Sequence, residues 1–170
     1  MHEKVTVAYV SYPADHGLTF PGGDLSGTEA MEVRFELPAR LELLRPLSDF
    51  VRELLSLIPS QIPGKTSDAI LLVLHEAFTN VCLHAYAEIE DGSVVVRLAV
   101  STDRVELCLE DNGKGFDEAN WQAPDLDAPL ESGWGDWLMK QLMNEFVYES
   151  KPDHGNVLRL VKHLSARPGM

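Results

Sequence analysis

Positive charge is what this chain has least of. Fourteen lysines and arginines face twenty-seven aspartates and glutamates in 170 residues, a formal net charge of −13, which argues against nucleic acid or an anionic membrane as partner. Cysteine is nearly absent. Cys82 and Cys108 lie far apart and form no C-x-x-C pair, so neither a zinc site nor a disulfide framework is expected, and a reduced cytoplasm is the natural compartment. No apolar run reaches the length of a bilayer span, and no charged n-region with an apolar h-region opens the chain, so no membrane or export role is expected. Familiar catalytic signatures fail as well. Gly64-Lys65-Thr66 ends like a phosphate loop, but Pro59 stands where its first glycine belongs; His75-Glu76 begins like a zinc-protease motif, but Thr79 replaces the second histidine. No G-x-S-x-G elbow occurs.

The length suits one domain with a proper core. Residues 1–30 read as an extension of unknown role: Val5, Val7 and Tyr9 alternate like a short strand, and then Pro13, Gly17, Pro21, Gly22, Gly23 and Gly27 interrupt regular structure. The domain proper spans 31–164, with a short tail at 165–170. Alternation at Met31, Val33, Phe35 and Leu37 predicts its first strand. Leu43, Leu47, Phe50, Val51, Leu54, Leu55 and Ile58 recur at helical spacing, with Pro46 near the start and Pro59 and Pro63 at the end. A second helix is predicted from an N-cap at Thr66 or Ser67 to about Ala87. Residues 93–100 and 104–111 read as a hairpin turning at Thr102-Asp103. A lid over 117–129, a helix at about 135–144 and strands at 145–150 and 156–163 complete the pattern. Helices on one face of a mixed, mostly antiparallel sheet make an α/β two-layer sandwich.

Three motifs carry chemistry. In the second helix Glu76 and Asn80 lie one turn apart on one face, which suits a base beside a magnesium ligand. Asp111 shares the parity of Val105, Leu107 and Leu109 and therefore points to the helix-covered side, where a carboxylate needs a partner. It opens Asp111-Asn-Gly113-Lys-Gly115-Phe116, a turn whose glycines permit close backbone approach. Gly133-Trp134-Gly135 precedes a helix whose N-terminal N–H groups attract phosphate. Taken singly, each motif also fits a solvated helix face, a hairpin turn or an ordinary loop.

In this order, the three resemble the N, G1 and G2 boxes of the GHKL ATPases. Neither a transducer domain nor a phosphoacceptor helical module fits within this length. Asn80-Val-Cys-Leu-His84-Ala-Tyr86, the run from Gly133 to Glu145 and Leu160-Val-Lys162-His-Leu164 further resemble the free-standing branch of anti-sigma factors and RsbW-type serine kinases.

That resemblance implies ATP and Mg2+ as ligands. Glu76 would be the general base and Asn80 the metal ligand, with His84 either at the site or hydrogen-bonding within the fold. Asp111 would accept the adenine amino group, Gly113 and Gly115 would shape that end, and Gly133, Trp134 and Gly135 would wrap the phosphates. Asn156 stands where many relatives have threonine, which puts a hydroxyl contact to phosphate in doubt, although its amide could donate. Asp136 replaces a usual aliphatic residue and puts negative charge near the triphosphate.

The implied activity is that of an ATP-dependent serine/threonine-protein kinase and anti-sigma factor, acting on an anti-sigma-factor antagonist and binding a sigma factor or similar regulator. A homodimer is implied, and Arg45 and Arg52 on the first helix are candidates for acidic partner surfaces. The alternatives are a nucleotide-sensing binding module without appreciable kinase activity, kept open by Asp136 and Asn156, and a detached histidine-kinase catalytic domain acting in trans.

Overall fold

The computed structural model describes residues 6–11, 19–20, 23–24, 31–57, 62–87, 91–115, 134–151 and 155–164. Its frame is a six-stranded sheet. The strands in spatial order are β1 (Thr6–Ser11), β4 (Met31–Pro38), β5 (Ser93–Val100), β6 (Arg104–Asp111), β8 (Gly155–His163) and β7 (Glu145–Lys151). Every ladder among the described residues is antiparallel. A separate two-residue pairing joins β2 (Thr19–Phe20) to β3 (Gly23–Asp24). The alternation at Val7 and Tyr9 belongs to β1, which pairs with β4 across an irregularity between Ala8 and Val10. The expected lid, the tail at 165–170 and most of the N-terminal extension lie outside the described residues.

Three helices cover one face: α1 (Leu44–Leu57), α2 (Gly64–Asn80) and α3 (Trp134–Leu142). A 3-10 turn at Leu41–Leu43 leads into α1. In α2 the buried residues Ile70, Val73, Leu74, Ala77 and Phe78 recur at helical spacing, so one stripe faces the sheet. They join Val33, Val96, Leu98, Leu107, Leu109 and Leu160, each at the inward parity of its strand. Because α2 packs against α1, α3 and β6, its flank facing α3 is fixed on three sides.

Two boundaries differ from the sequence reading. Helix α2 begins at Gly64, and its cap is Pro63, with no side-chain cap bond. The N–H groups of Thr66 and Ser67 bond the Pro63 carbonyl (2.8 and 3.1 Å), which places both residues inside the first turn. At its other end α2 passes into a π-helical turn at Val81–Ala85. The Tyr86 N–H reaches the Val81 carbonyl (3.3 Å), which widens the last turn and frees Ala85 to meet another segment.

On the face opposite the helices, Glu106 of β6 and Arg159 of β8 form a buried pair. Glu106 is 2 % exposed and takes two parallel bonds from Arg159, Nε to Oε1 and Nη2 to Oε2, each 2.9 Å. Arg159 Nη1 also donates to Glu145 (3.0 Å), which in turn meets His163 (3.1 Å). Glu106→Ala leaves the Arg159 charge without its fork partner and is expected to cost about 3 kcal/mol in urea unfolding. Combining Glu106→Leu with Arg159→Met should cost much less than either single change; equal losses would show that the pair does not act as a unit.

Candidate functional site

Asp111 ends β6 opposite Asn156 of β8 in the antiparallel register. That pairing builds one end of the site. Asp111 Oδ1 accepts from the Gly113 N–H and from Asn156 Nδ2, both at 2.8 Å. The same amide nitrogen reaches the Gly113 carbonyl (3.1 Å), and Ser150 Oγ of β7 donates to Asn156 Oδ1 (2.7 Å). Asn156 is 3 % exposed, so its polar atoms need these partners. Burial raises the Asp111 carboxyl above its usual value, opposed by the bonds from Asn156 and Gly113. Asn156, for which the sequence reading weighed a contact to phosphate, meets the Asp111 carboxylate.

The glycines of the turn serve close packing. A Cβ on Gly113 would lie 2.4 Å from the Ala85 carbonyl oxygen, and one on Gly115 would lie 2.2 Å from Ser150 Oγ. The neighbouring Lys114 N–H bonds that same Ala85 carbonyl (2.8 Å), which the π-helical turn has released. Tyr86 adds a tie that sequence reasoning missed. Its hydroxyl donates to the Ser93 carbonyl (2.8 Å) and accepts from the Asn112 N–H (2.9 Å). The end of the α2 segment, the start of β5 and the turn after Asp111 are joined through one phenol.

At the other end, the first turn of α3 abuts α2. A Cβ on Gly135 would lie 2.8 Å from Glu76 Oε2 and 3.8 Å from Asn80 Nδ2, so a side chain here would turn the Glu76 carboxylate aside. Asn80 Nδ2 donates to Asp136 Oδ1 (3.2 Å), and Asp136 occupies the first turn of α3, where the helix dipole favours a carboxylate. Trp134 lies edge-on to Trp137 (ring centroids 5.5 Å apart). His84 is exposed on the π-helical turn and takes no part in the Asp111 network. Gly133 lies outside the described residues.

Magnesium-bound ATP fits this donor set. Asn80 has an amide oxygen for a hard cation, α3 offers N-terminal N–H groups for phosphate, and Asp111 has a second carboxylate oxygen beyond the one engaged by Gly113 and Asn156. The thiols are poor candidates for chemistry, because burial pushes Cys82 up to about 11 and Cys108 up to about 12. No helix among the described residues is long and apolar enough to cross a membrane.

Comparison with known proteins identifies the family and the fold. A family model described as the histidine kinase-like ATPase domain matches residues 37–162. The anti-sigma F factor of Heyndrickxia coagulans is 35% identical over 100 residues, covering 56% of this chain and 68% of that protein. The serine-protein kinase RsbW of Bacillus velezensis is 31% identical over 144 residues, covering 78% and 86%. Among solved structures, the RsbU and RsbW domains of a Mycobacterium tuberculosis protein align with a TM-score of 0.59 at 20% identity, over 79% of this chain and 33% of that one. A blue-light activated histidine kinase from Erythrobacter litoralis aligns at 0.51 and 21%, over 78% and 43%. At these identities the structural likeness concerns the fold, and the chain spans less than half of either solved chain.

Asp111→Asn keeps an oxygen for Gly113 and Asn156 to bond and removes a charge that burial disfavours. In the wild type the folded state holds the Asp111 proton more tightly than the unfolded state does, so stability falls as pH rises from about 3.8 through the folded-state value. The ligand-free variant should therefore melt at or above the wild-type temperature at pH 7, with the gain vanishing in acid below 3.8. A lower melting temperature at pH 7 would contradict this electrostatic reading.

Proposed function

The chain belongs to the histidine kinase-like ATPase family, alongside anti-sigma factors and RsbW-type serine-protein kinases, and from that premise we propose that it is an ATP-dependent serine/threonine-protein kinase and anti-sigma factor. The observation that carries the reading is the convergence of Glu76, Asn80 and the first turn of α3 on one flank of α2, with the Asp111 turn packed on Ala85 in the π-helical extension of the same helix. The phosphoacceptor is an anti-sigma-factor antagonist, and a sigma factor or similar regulator is the alternative partner. The working form is a homodimer in the cytoplasm, where free thiols such as Cys82 and Cys108 persist.

Each residue has a distinct task in this reading. Asp111 accepts the exocyclic amino group of adenine, and guanine, with a carbonyl at that position, would set acceptor against acceptor. The N-terminal turn of α3, with Gly133, Trp134 and Gly135, wraps the phosphates. Asn80 would hold a magnesium ion through its amide oxygen, and the ion would supply charge neutralisation on the phosphates. Glu76 orients the incoming serine or threonine hydroxyl and takes its proton as the oxygen bonds to the γ-phosphorus. The bond to the bridging oxygen breaks, and ADP departs with that electron pair. Positioning and charge neutralisation supply most of the rate in such transfers.

Partner docking falls on a different surface. A cleft of about 550 Å³ between α1 and α2 is lined by Leu41, Leu44, Arg45, Asp49, Arg52 and Leu72, among others. Leu41 and Leu72 are both 42 % exposed, and the Arg45 side chain is almost wholly in solvent. Arg45 and Arg52 share Asp49 as partner (3.9 and 2.6 Å), so the rim carries two positive charges against one negative, and apolar ground with such a rim suits an acidic, amphipathic partner segment.

Incubation with Mg-ATP and the cognate antagonist should yield phosphoserine or phosphothreonine on the antagonist, and Glu76→Gln should lower turnover about a hundredfold or more while still binding ATP. Acid-labile phosphate would instead indicate histidine transfer. Tight ATP binding with no transfer would favour the sequestering module. Charge reversal at Arg45 and Arg52 should weaken antagonist or regulator binding without altering nucleotide affinity; unchanged partner affinities would remove this surface from the proposal.

A further inference from the structure

A carboxylate at the start of α3 accepts a hydrogen bond from the side chain of Asn80. Asp136 Oδ1 lies 3.2 Å from Asn80 Nδ2, and an ionised carboxylate only accepts hydrogen bonds. The amide nitrogen must therefore face Asp136, and the amide oxygen must face the other way. A magnesium ion takes oxygen ligands alone, so the inverted amide would show it two N–H donors and no ligand. We propose that Asp136 is a positioning residue that holds the Asn80 amide in the orientation a metal ion requires, and so couples nucleotide binding to magnesium.

The surroundings support a fixed juxtaposition. Gly135 brings α3 against the Glu76 and Asn80 flank of α2 so closely that a Cβ would be 2.8 Å from Glu76 Oε2. Asp136, the next residue, belongs to the same first turn, where the positive end of the helix dipole favours its charge. Asn80 closes α2, held from behind by the packing of Ala77 and Phe78 in the core. Both partners are thus anchored by backbone, and their hydrogen bond restricts rotation of the Asn80 amide. Hydrogen bonds that orient a metal ligand commonly change metal affinity about 10- to 100-fold when removed. The same charge close to the phosphates opposes ATP that arrives without its cation, which separates the two nucleotide forms further.

This inference rests on the nucleotide-binding reading above, and its test distinguishes the two. The measured quantity is the ratio of ATP dissociation constants in EDTA and in excess magnesium, obtained by calorimetry on the full chain. Asp136→Ala removes both charge and acceptor at a helical position where alanine is well tolerated. Asp136→Asn removes the charge but keeps an oxygen that can accept from Asn80 Nδ2, although its own amide can also turn Asn80 round. Orientation control predicts a ratio about tenfold or more below wild type for Asp136→Ala, with Asp136→Asn between the two. Equal ratios in the two variants would mean that charge alone acts, and unchanged ratios would mean that neither does; each overturns the proposal while leaving ATP binding intact. A folded wild-type chain that binds no ATP in either condition would overturn both this inference and the nucleotide-binding reading beneath it.

Discussion

A carboxylate placed where burial works against its charge organises one end of this sheet. Asp111 can sit there because two donors converge on its Oδ1, one from the turn that follows it and one from Asn156 across the ladder. Those donors are themselves constrained. Asn156 is held by Ser150 on the next strand, and the turn is held by Tyr86 and by the Ala85 carbonyl. Removing the carboxylate from this position would leave a tight glycine turn and a buried amide with no common centre. The penalty on its charge makes better sense if a ligand donor completes the shell than if the residue served only the fold.

The opposite end depends on close approach. Helix α2 is a core helix whose apolar stripe is consumed by the sheet, so Glu76 and Asn80 can only occupy its flank. In α3 the N-terminal turn meets that flank with Gly135 at the contact, bringing N–H donors, a helix dipole and the Asp136 carboxylate to the same place. Phosphate chemistry in an acidic protein needs such local arrangements, since the overall charge of −13 repels an anion. The apolar cleft with Arg45 and Arg52 lies along α1 and the other flank of α2. One helix can thus serve nucleotide and protein partner on different faces.

The sequence made some of this plain and hid the rest for physical reasons. The hairpin of β5 and β6 was legible to the residue, because alternation and the Thr102-Asp103 turn are local signals. Asp111 was legible through its parity. The start of α2 was not, since Thr66 and Ser67 look like caps but the Pro63 carbonyl takes over that role. The π-helical turn left no mark in the hydrophobic spacing. The link of Asn156 to Asp111 was hidden because it exists only once β8 pairs with β6. Glu106 and Arg159 lie too far apart in the chain for any local signal to pair them, and only cross-strand register reveals a buried fork. Asp136 was visible as a local charge, whereas its grip on Asn80 needed the tertiary contact.

The most direct measurement is a calorimetric titration of the wild-type chain with ATP and with GTP, each in excess magnesium. An adenine site built on Asp111 predicts saturable ATP binding, with GTP at least about tenfold weaker. Equal affinities, or no binding of either nucleotide by a chain shown to be folded, would contradict it.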